Sequence, residues 1–352
     1  MTAVTSSGGR LGRYRLLREV GRGAMATVYE AEHMDIGKRV ALKAMHAHLA
    51  ADSTASSRFL REGRAAAQIK SAHVVDVFDV GTQDGVPYLV MELLEGSNLA
   101  VILRDRGRMP LSEIAELMLP VLSAVGAAHD AGVIHRDLKP SNIFLAKRAD
   151  GELRPTVLDF GISKLTTDVE RDLTASEVLL GTVHYMSPEQ TRGARNASAL
   201  SDVYAVGVML YELATGKKPF AGASPYALMH AVVSAKLAPP TSIAPSLPAA
   251  FDEVVLRAMH RDPERRFASV RALGASLLPW ASEASSRRWA AEFGGPSLPT
   301  CGSASTPWTR RARRATAAGL AVLVALLVGV IAVAARGHGR AASDAPDTSG
   351  PP

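Results

Sequence analysis

His135-Arg136-Asp137-Leu138-Lys139-Pro140-Ser141-Asn142 gathers an arginine, an aspartate, a lysine and an asparagine into eight consecutive residues. Downstream, Val157-Leu158-Asp159-Phe160-Gly161 puts an acid at the end of an apolar strand. Upstream, Val20-Gly21-Arg22-Gly23-Ala24-Met25-Ala26-Thr27-Val28 is glycine-rich. Taken alone, that stretch fits either a dinucleotide-binding turn or an ordinary hairpin. A dinucleotide turn should open a helix, whereas Thr27-Val28-Tyr29-Glu30-Ala31 reads on as a strand. A strand–glycine turn–strand unit offers backbone N–H groups to phosphate, and glycine permits the close approach. Between these pieces, Val40-Ala41-Leu42-Lys43 sets a lysine in an apolar strand, where by itself it would snorkel outward.

Glycine-rich loop, strand lysine, catalytic-type loop and Asp-Phe-Gly, in this order and spacing, resemble the eukaryotic-type protein kinases, specifically the bacterial membrane-anchored Ser/Thr kinases. The resemblance runs from about Tyr14 to Leu278. It implies an α+β fold of two lobes, a β-rich one over about 14–94 and a helical one over about 95–278. The implied chemistry is transfer of the ATP γ-phosphate to Ser/Thr hydroxyls of proteins, the chain itself included. Such transfer requires charge neutralisation and in-line positioning more than covalent chemistry. The resemblance assigns Lys43 to the α- and β-phosphates with Glu62 as its ion-pair partner, and Asp137 to the acceptor hydroxyl. It assigns Lys139 to the γ-phosphate, and Asn142 and Asp159 to Mg²⁺, or Mn²⁺ in its place, as oxygen ligands of a hard ion. Adenine would lie between Val28 and Ala41 above and Phe144 below, with Met91 at the back and backbone groups of Glu92 and Leu94 at the hinge. The loop from Val20 to Ala26 would cover the phosphates, with Ala26 standing where the family has its third glycine.

The same resemblance places Gly181–Glu189 against the acceptor, with Thr182 bonded to Asp137 and Lys139. It pairs Glu189 with Arg266 and makes Asp202 a brace for the catalytic loop. Arg136 before Asp137 marks a kinase whose loop awaits a phosphate on the activation segment. Thr174 and then Ser176 are the expected acceptors, with Arg136, Lys164 and Arg58 converging on the phosphate. Two other classes compete. A pseudokinase scaffold would lack Lys43, Asp137 or Asp159, and all three are present. A dinucleotide enzyme is opposed by the strand after Ala26.

Periodicity agrees with two lobes. Tyr14–Val20, Ala26–Met34, Lys38–Met45, Val74–Gln83 and Val86–Leu93 read as strands, broken by a helix over about Thr54–Ile69. From Leu111 the pattern turns helical. Residues 1–13 read as a flexible tail and 279–314 as a juxtamembrane linker, since Ser, Ala, Gly and Pro dominate from Pro279 to Thr309.

The chain has 352 residues, 47% hydrophobic and 21% charged, which excludes wholesale disorder and a collagen-like repeat. The single cysteine, Cys301, excludes a disulfide scaffold. The net charge of +6 does not mark a nucleic-acid partner. Arg310, Arg311, Arg313, Arg314, Arg336 and Arg340 account for it, and the remaining basic residues equal the 34 acidic ones. These arginines flank Ala315–Ala335, 21 residues without charge or proline, whose helix would span about 31 Å. The alternative is a buried core helix, which rarely runs this long without a polar face. Four arginines before the span and two after favour a cytoplasmic kinase domain, an inner-membrane single pass, and an extracytoplasmic tail over 336–352. Ala317, Ala321, Ala325 and Gly329 form a small-residue stripe that would let two copies pair as a homodimer.

Overall fold

The computed structural model describes residues 9–160, 181–193 and 196–294. Alternating apolar and polar residues in the first third build a six-stranded antiparallel sheet. Its strands are β1 (Arg10–Leu11), β2 (Tyr14–Arg22), β3 (Ala26–His33), β4 (Arg39–Met45), β5 (Val77–Gln83) and β6 (Val86–Met91). Their order is β1-β2-β3-β4-β6-β5. The sequence reading assigned residues 1–13 to a tail; instead Arg10 pairs with Arg15, and Leu11 is completely buried. A leucine with a sheet face to cover it is enough to recruit two more residues.

After α1 (Ala47–Ala50), helix α2 (Ser53–Ala66) packs on the sheet. Asp52 caps it, accepting from Thr54 N at 2.8 Å. Its buried residues Ala55, Phe59, Gly63 and Ala66 recur every three or four positions, and Ala55 and Phe59 cluster with Met45 and Leu89. A Cβ on Gly63 would stand 2.2 Å from Leu89 Cδ2, so this glycine sets how closely helix and strand approach. The other sheet face buries Leu16, Tyr29, Leu42 and Val90.

The second lobe comprises α3 (Leu99–Arg106), α4 (Leu111–Asp130), α5 (Pro188–Thr191), α6 (Ala199–Thr215), α7 (Pro225–Ser234), α8 (Ala249–Ala258), α9 (Val270–Leu277) and α10 (Glu283–Phe293). A small sheet, β7 (Gly96–Asn98), β8 (Ile143–Lys147) and β9 (Leu153–Val157), borders it. Helices α4 and α6 are apolar on nearly every side because they are the core. Ser198 and Ser201 close the start of α6, and Gly216 ends it at φ 71°, a left-handed cap that suits glycine. Among the described residues α4 alone is long and apolar enough to cross a bilayer, but its apolar window is 67% buried inside the lobe.

The linker expected over 279–314 is corrected at its start. Residues Glu283–Phe293 form α10, capped by Ser282 and docked through Trp289 and Phe293, both buried. Ser282 N donates to Glu116 at 2.8 Å and Ser123 Oγ to Glu292 at 2.9 Å, fastening α10 to α4. Two aromatics four residues apart outweigh a serine- and alanine-rich composition. The span Ala315–Ala335 with its stripe, the tail 336–352, and Lys164, Thr174 and Ser176 lie outside the described residues.

Candidate active site

The glycine-rich stretch is a hairpin. Val20, Gly21 and Arg22 finish β2, Gly23, Ala24 and Met25 turn, and Ala26 opens β3. Gly23 N donates to Ala26 O at 2.9 Å. The Ala26 methyl is buried with Met45 and Phe59, so a side chain where the family carries glycine is spent on packing. Register then assembles the neighbours: Val28 lies opposite Lys43, Lys43 opposite Leu89, and Ala41 opposite Met91. Beyond Met91, Glu92 N donates to Asp76 O at 2.9 Å, and both Glu92 carboxylate oxygens accept from Arg154 Nη2 at 2.9 Å. Leu94 follows on the connection to β7, and half-buried Phe144 lies on β8 opposite Asn98.

The loop carrying Asp137 hangs from one buried carboxylate. Asp202, 1% exposed in the first turn of α6, accepts from His135 N at 2.9 Å and His129 Nε2 at 2.8 Å through Oδ2. Its Oδ1 accepts from Arg136 N at 2.9 Å. His135 is wholly buried, its Nε2 is 2.9 Å from Leu158 O, and its ring lies 4.7 Å from that of Phe160. Burial pushes the His135 pKa down, so the ring is a neutral spacer between loop and β9 end. Arg136 and Asp159 both hold left-handed backbone, at φ 64° and 53°. For non-glycine residues this is strain, and here it falls on two consecutive functional motifs.

Around Asp137 the polar groups converge. Lys139 Nζ lies 2.8 Å from Asp137 Oδ2 and donates to Thr182 Oγ1 at 2.9 Å. Asn142 Nδ2 donates to Asp137 O at 2.8 Å. From the other lobe, Lys43 Nζ reaches Asp159 Oδ1 at 2.6 Å.

That last contact corrects the expected partner of Lys43. No ion pair joins Lys43 to Glu62 among the described residues, because Asp159 holds the ammonium. Glu62 Oε2 is buried on α2 without a hydrogen-bond partner. Burial pushes its pKa up to about 7, against the opposing charges of Arg136, Arg61, Arg58 and Lys43. Arg136 Nε is likewise buried and unpartnered. A carboxyl and a guanidinium nitrogen thus wait in one region without a bond.

The frame below the site is an ion pair. Arg266, with its side chain 0% exposed, donates from Nη1 and Nη2 to the two oxygens of Glu189, each at 2.8 Å. Burial would raise Glu189, but the Arg266 bonds and charge and the Ser201 hydroxyl hold it below the usual range. Two residues escaped the sequence reading. His129 is the third donor to Asp202. Gln190 accepts from Ser187 N and Oγ at 3.1 Å and donates to Arg136 O at 2.9 Å, tying the acceptor-side segment to the catalytic loop. The Ser187-x-x-Gln190 capping box was its visible signal.

Comparison with known proteins gives the same answer as the geometry. Serine/threonine-protein kinase Pkn1 of Myxococcus xanthus is 40% identical over 270 residues, which is 77% of this chain and 38% of that protein. PknL of Mycobacterium tuberculosis is 38% identical over 271 residues, 77% of this chain and 66% of that one. The chain spans less than half the length of the first curated relatives it matches. The crystal structure of the Mycobacterium tuberculosis PknI kinase domain superposes with a TM-score of 0.61 at 26% identity, covering 78% of this chain and 99% of that one. The fold is therefore the two-lobed protein kinase fold. Residues 14–278 match the protein kinase domain family, and the chain belongs to it.

Proposed function

We propose that this chain is an ATP-dependent protein serine/threonine kinase. The observation that carries the reading is the convergence of Asp137, Lys139, Asn142, Asp159 and Lys43, with Thr182 held by Lys139. Asp137 orients the acceptor hydroxyl and takes its proton as the acceptor oxygen bonds to the γ-phosphorus and the β–γ bridging bond breaks. Lys139 supplies positive charge beside that transfer, and Lys43 releases Asp159 to hold the α- and β-phosphates. Adenine packs between Val28, Ala41 and Phe144 and meets backbone groups of Glu92 and Leu94, with Met91 behind.

The family uses a divalent metal, and the donor set fits Mg²⁺. Asn142 commits its Nδ2 to Asp137, which leaves Oδ1 as acceptor, and Asp159 keeps Oδ2 beside the oxygen that Lys43 occupies. Held by Asn142 and Asp159, a hard ion of this kind would complete its shell with phosphate oxygens and water. When bound, the ion supplies neutralisation of phosphate charge.

The activation segment is read as the regulatory input. Phosphate on Thr174, with Ser176 second, would recruit Arg136, Lys164 and Arg58, and the unpartnered Arg136 Nε supports this. We read residues 315–335 as a membrane span on their length and arginine flanks. One experiment tests the chemistry: the purified chain should incorporate γ-phosphate from ATP only with a divalent metal, and Lys43→Met should abolish it. Mass spectrometry should then find the label at Thr174 in the active protein alone. Lys43→Met protein labelled to the same extent would refute the assignment. For topology, a C-terminal alkaline phosphatase fusion should be active, and an inactive fusion would reverse the orientation or remove the span.

A further inference from the structure

The described residues between Gly181 and Pro248 hold three acids, and the fold occupies each of them. Glu189 is bound by Arg266, and Asp202 by His129, His135 and Arg136. Glu212 accepts the Tyr185 hydroxyl and is only 9% exposed. Burial pushes its pKa up, against the Tyr185 bond and the Lys218 charge, which weakens it further as a surface anion. The exposed formal charges of the same stretch are all positive: Arg192, Lys217, Lys218 and Lys236. None of these four side chains has a carboxylate partner among the described residues.

Lys218 stands beside the acceptor. Lys139 joins Asp137 to Thr182. Tyr185 N donates to Thr182 O at 3.2 Å, a turn that keeps the two residues within about 7 Å. Lys218 Nζ lies 5.8 Å from the Tyr185 ring centroid, and its charge reaches the neighbouring His184. An extended substrate rising about 3.3 Å per residue covers this separation in a few residues. Lys217 adjoins it on the connection between α6 and α7. Arg192 ends α5, which packs against α7. Exposed cations with no carboxylate of their own are open to carboxylates on the substrate.

We propose that this face selects Ser/Thr acceptors in acidic protein segments, with Lys218 as the specificity-determining residue and Lys217 and Arg192 beside it. This selection rests on the kinase reading and names its substrate class. The chain's own sequence contains a segment of that class. Asp168, Glu170 and Asp172 precede Thr174, and Glu177 follows Ser176, against the single cation Arg171 between Thr166 and Leu179. The selecting charges are exposed and lie apart from the transferring groups, so they act on encounter and KM and leave the transfer step alone.

The test uses the full chain in detergent and a synthetic peptide of residues 166–179 as phosphate acceptor. A second peptide carries Asp168→Asn, Glu170→Gln, Asp172→Asn and Glu177→Gln, which keeps its size and its hydroxyls. At low ionic strength the acidic peptide should have a KM about tenfold lower, with kcat within about twofold, because each exposed ion pair contributes only a few-fold. In about 0.5 M salt the two KM values should converge to within about twofold. The double variant Lys217→Glu, Lys218→Glu should lose the preference while its turnover of the neutral peptide and its ADP affinity stay unchanged. A third peptide with Lys at the same four positions should become the better substrate of that variant. Equal KM values for the acidic and neutral peptides, or a preference that survives the charge reversal, would overturn the site. Fluorescence anisotropy of the labelled peptides reads binding apart from transfer. Acid-dependent binding without phosphate transfer would refute the kinase reading and leave the face standing, whereas transfer to both peptides alike would do the reverse.

Discussion

Glu62→Gln should make the protein more stable and less active at once. Glu62 Oε2 is buried without a partner, and its pKa stands at about 7 against an ordinary 4.5, chiefly through burial. An acid whose folded pKa is raised is protonated more readily in the folded than in the unfolded chain. The fold is therefore unburdened at low pH and bears a cost that grows as pH rises from the unfolded value through the folded one. Taken whole, the shift corresponds to about 3 kcal/mol at 1.36 kcal/mol per pKa unit. Glu62 is half-buried, and solvent screening reduces this to about 1–2 kcal/mol. Glutamine mimics the protonated acid at every pH. The variant should match wild type near about pH 4, below the unfolded value, and melt about 2–5 °C higher near about pH 8, where a domain of this size gains a few degrees per kcal/mol. Thermal unfolding followed by the fluorescence of Trp280 and Trp289 reads the difference directly. Phosphoryl transfer should fall in the same variant, because the working state needs a charged partner for Lys43 once Asp159 is released. A melting point at pH 8 that equals wild type, or a gap that does not widen with pH, would refute the account of Glu62. Full activity in the variant would refute its role beside Lys43.

Asp137→Asn should reduce phosphoryl transfer by at least about a hundredfold while ADP affinity stays within about twofold, since Asp137 acts on the acceptor; turnover near wild type would contradict the mechanism. Glu189→Ala leaves the Arg266 charge buried and unpaired, so chemical denaturation should show a loss of about 3–5 kcal/mol, and a loss below about 1 kcal/mol would show that water replaces the carboxylate.

The catalytic residues were legible because the motifs that hold them are local. Three residues after Asp202 in space, if not in sequence, are His129, His135 and Arg136, and only the last two belong to a contiguous motif. His129 sits on α4, where a lone histidine near a helix end carries no signal of its partner. The strands were legible from their short β-branched runs between turn signals, and α6 from the helical pattern that begins at Leu111. Helix α10 was not, because its apolar docking is confined to Trp289 and Phe293 within a polar segment that resembles a linker, and the partners of Ser282 and Glu292 lie far off in sequence. The partner of Lys43 was hidden for another reason. Asp159 and Glu62 are both acids within its region, and spacing along the chain does not state which of the two a single ammonium engages.

The triple acceptance at Asp202 also has a kinetic meaning. The amide protons of His135 and Arg136 are locked to a side chain seated 1% exposed in the core helix α6. Solvent reaches those amides only when α6 itself lets go, so the loop should exchange hydrogen on the slow clock of the helical lobe and not on the fast clock of a surface turn. Chemistry is performed by a loop that has been denied the mobility of one.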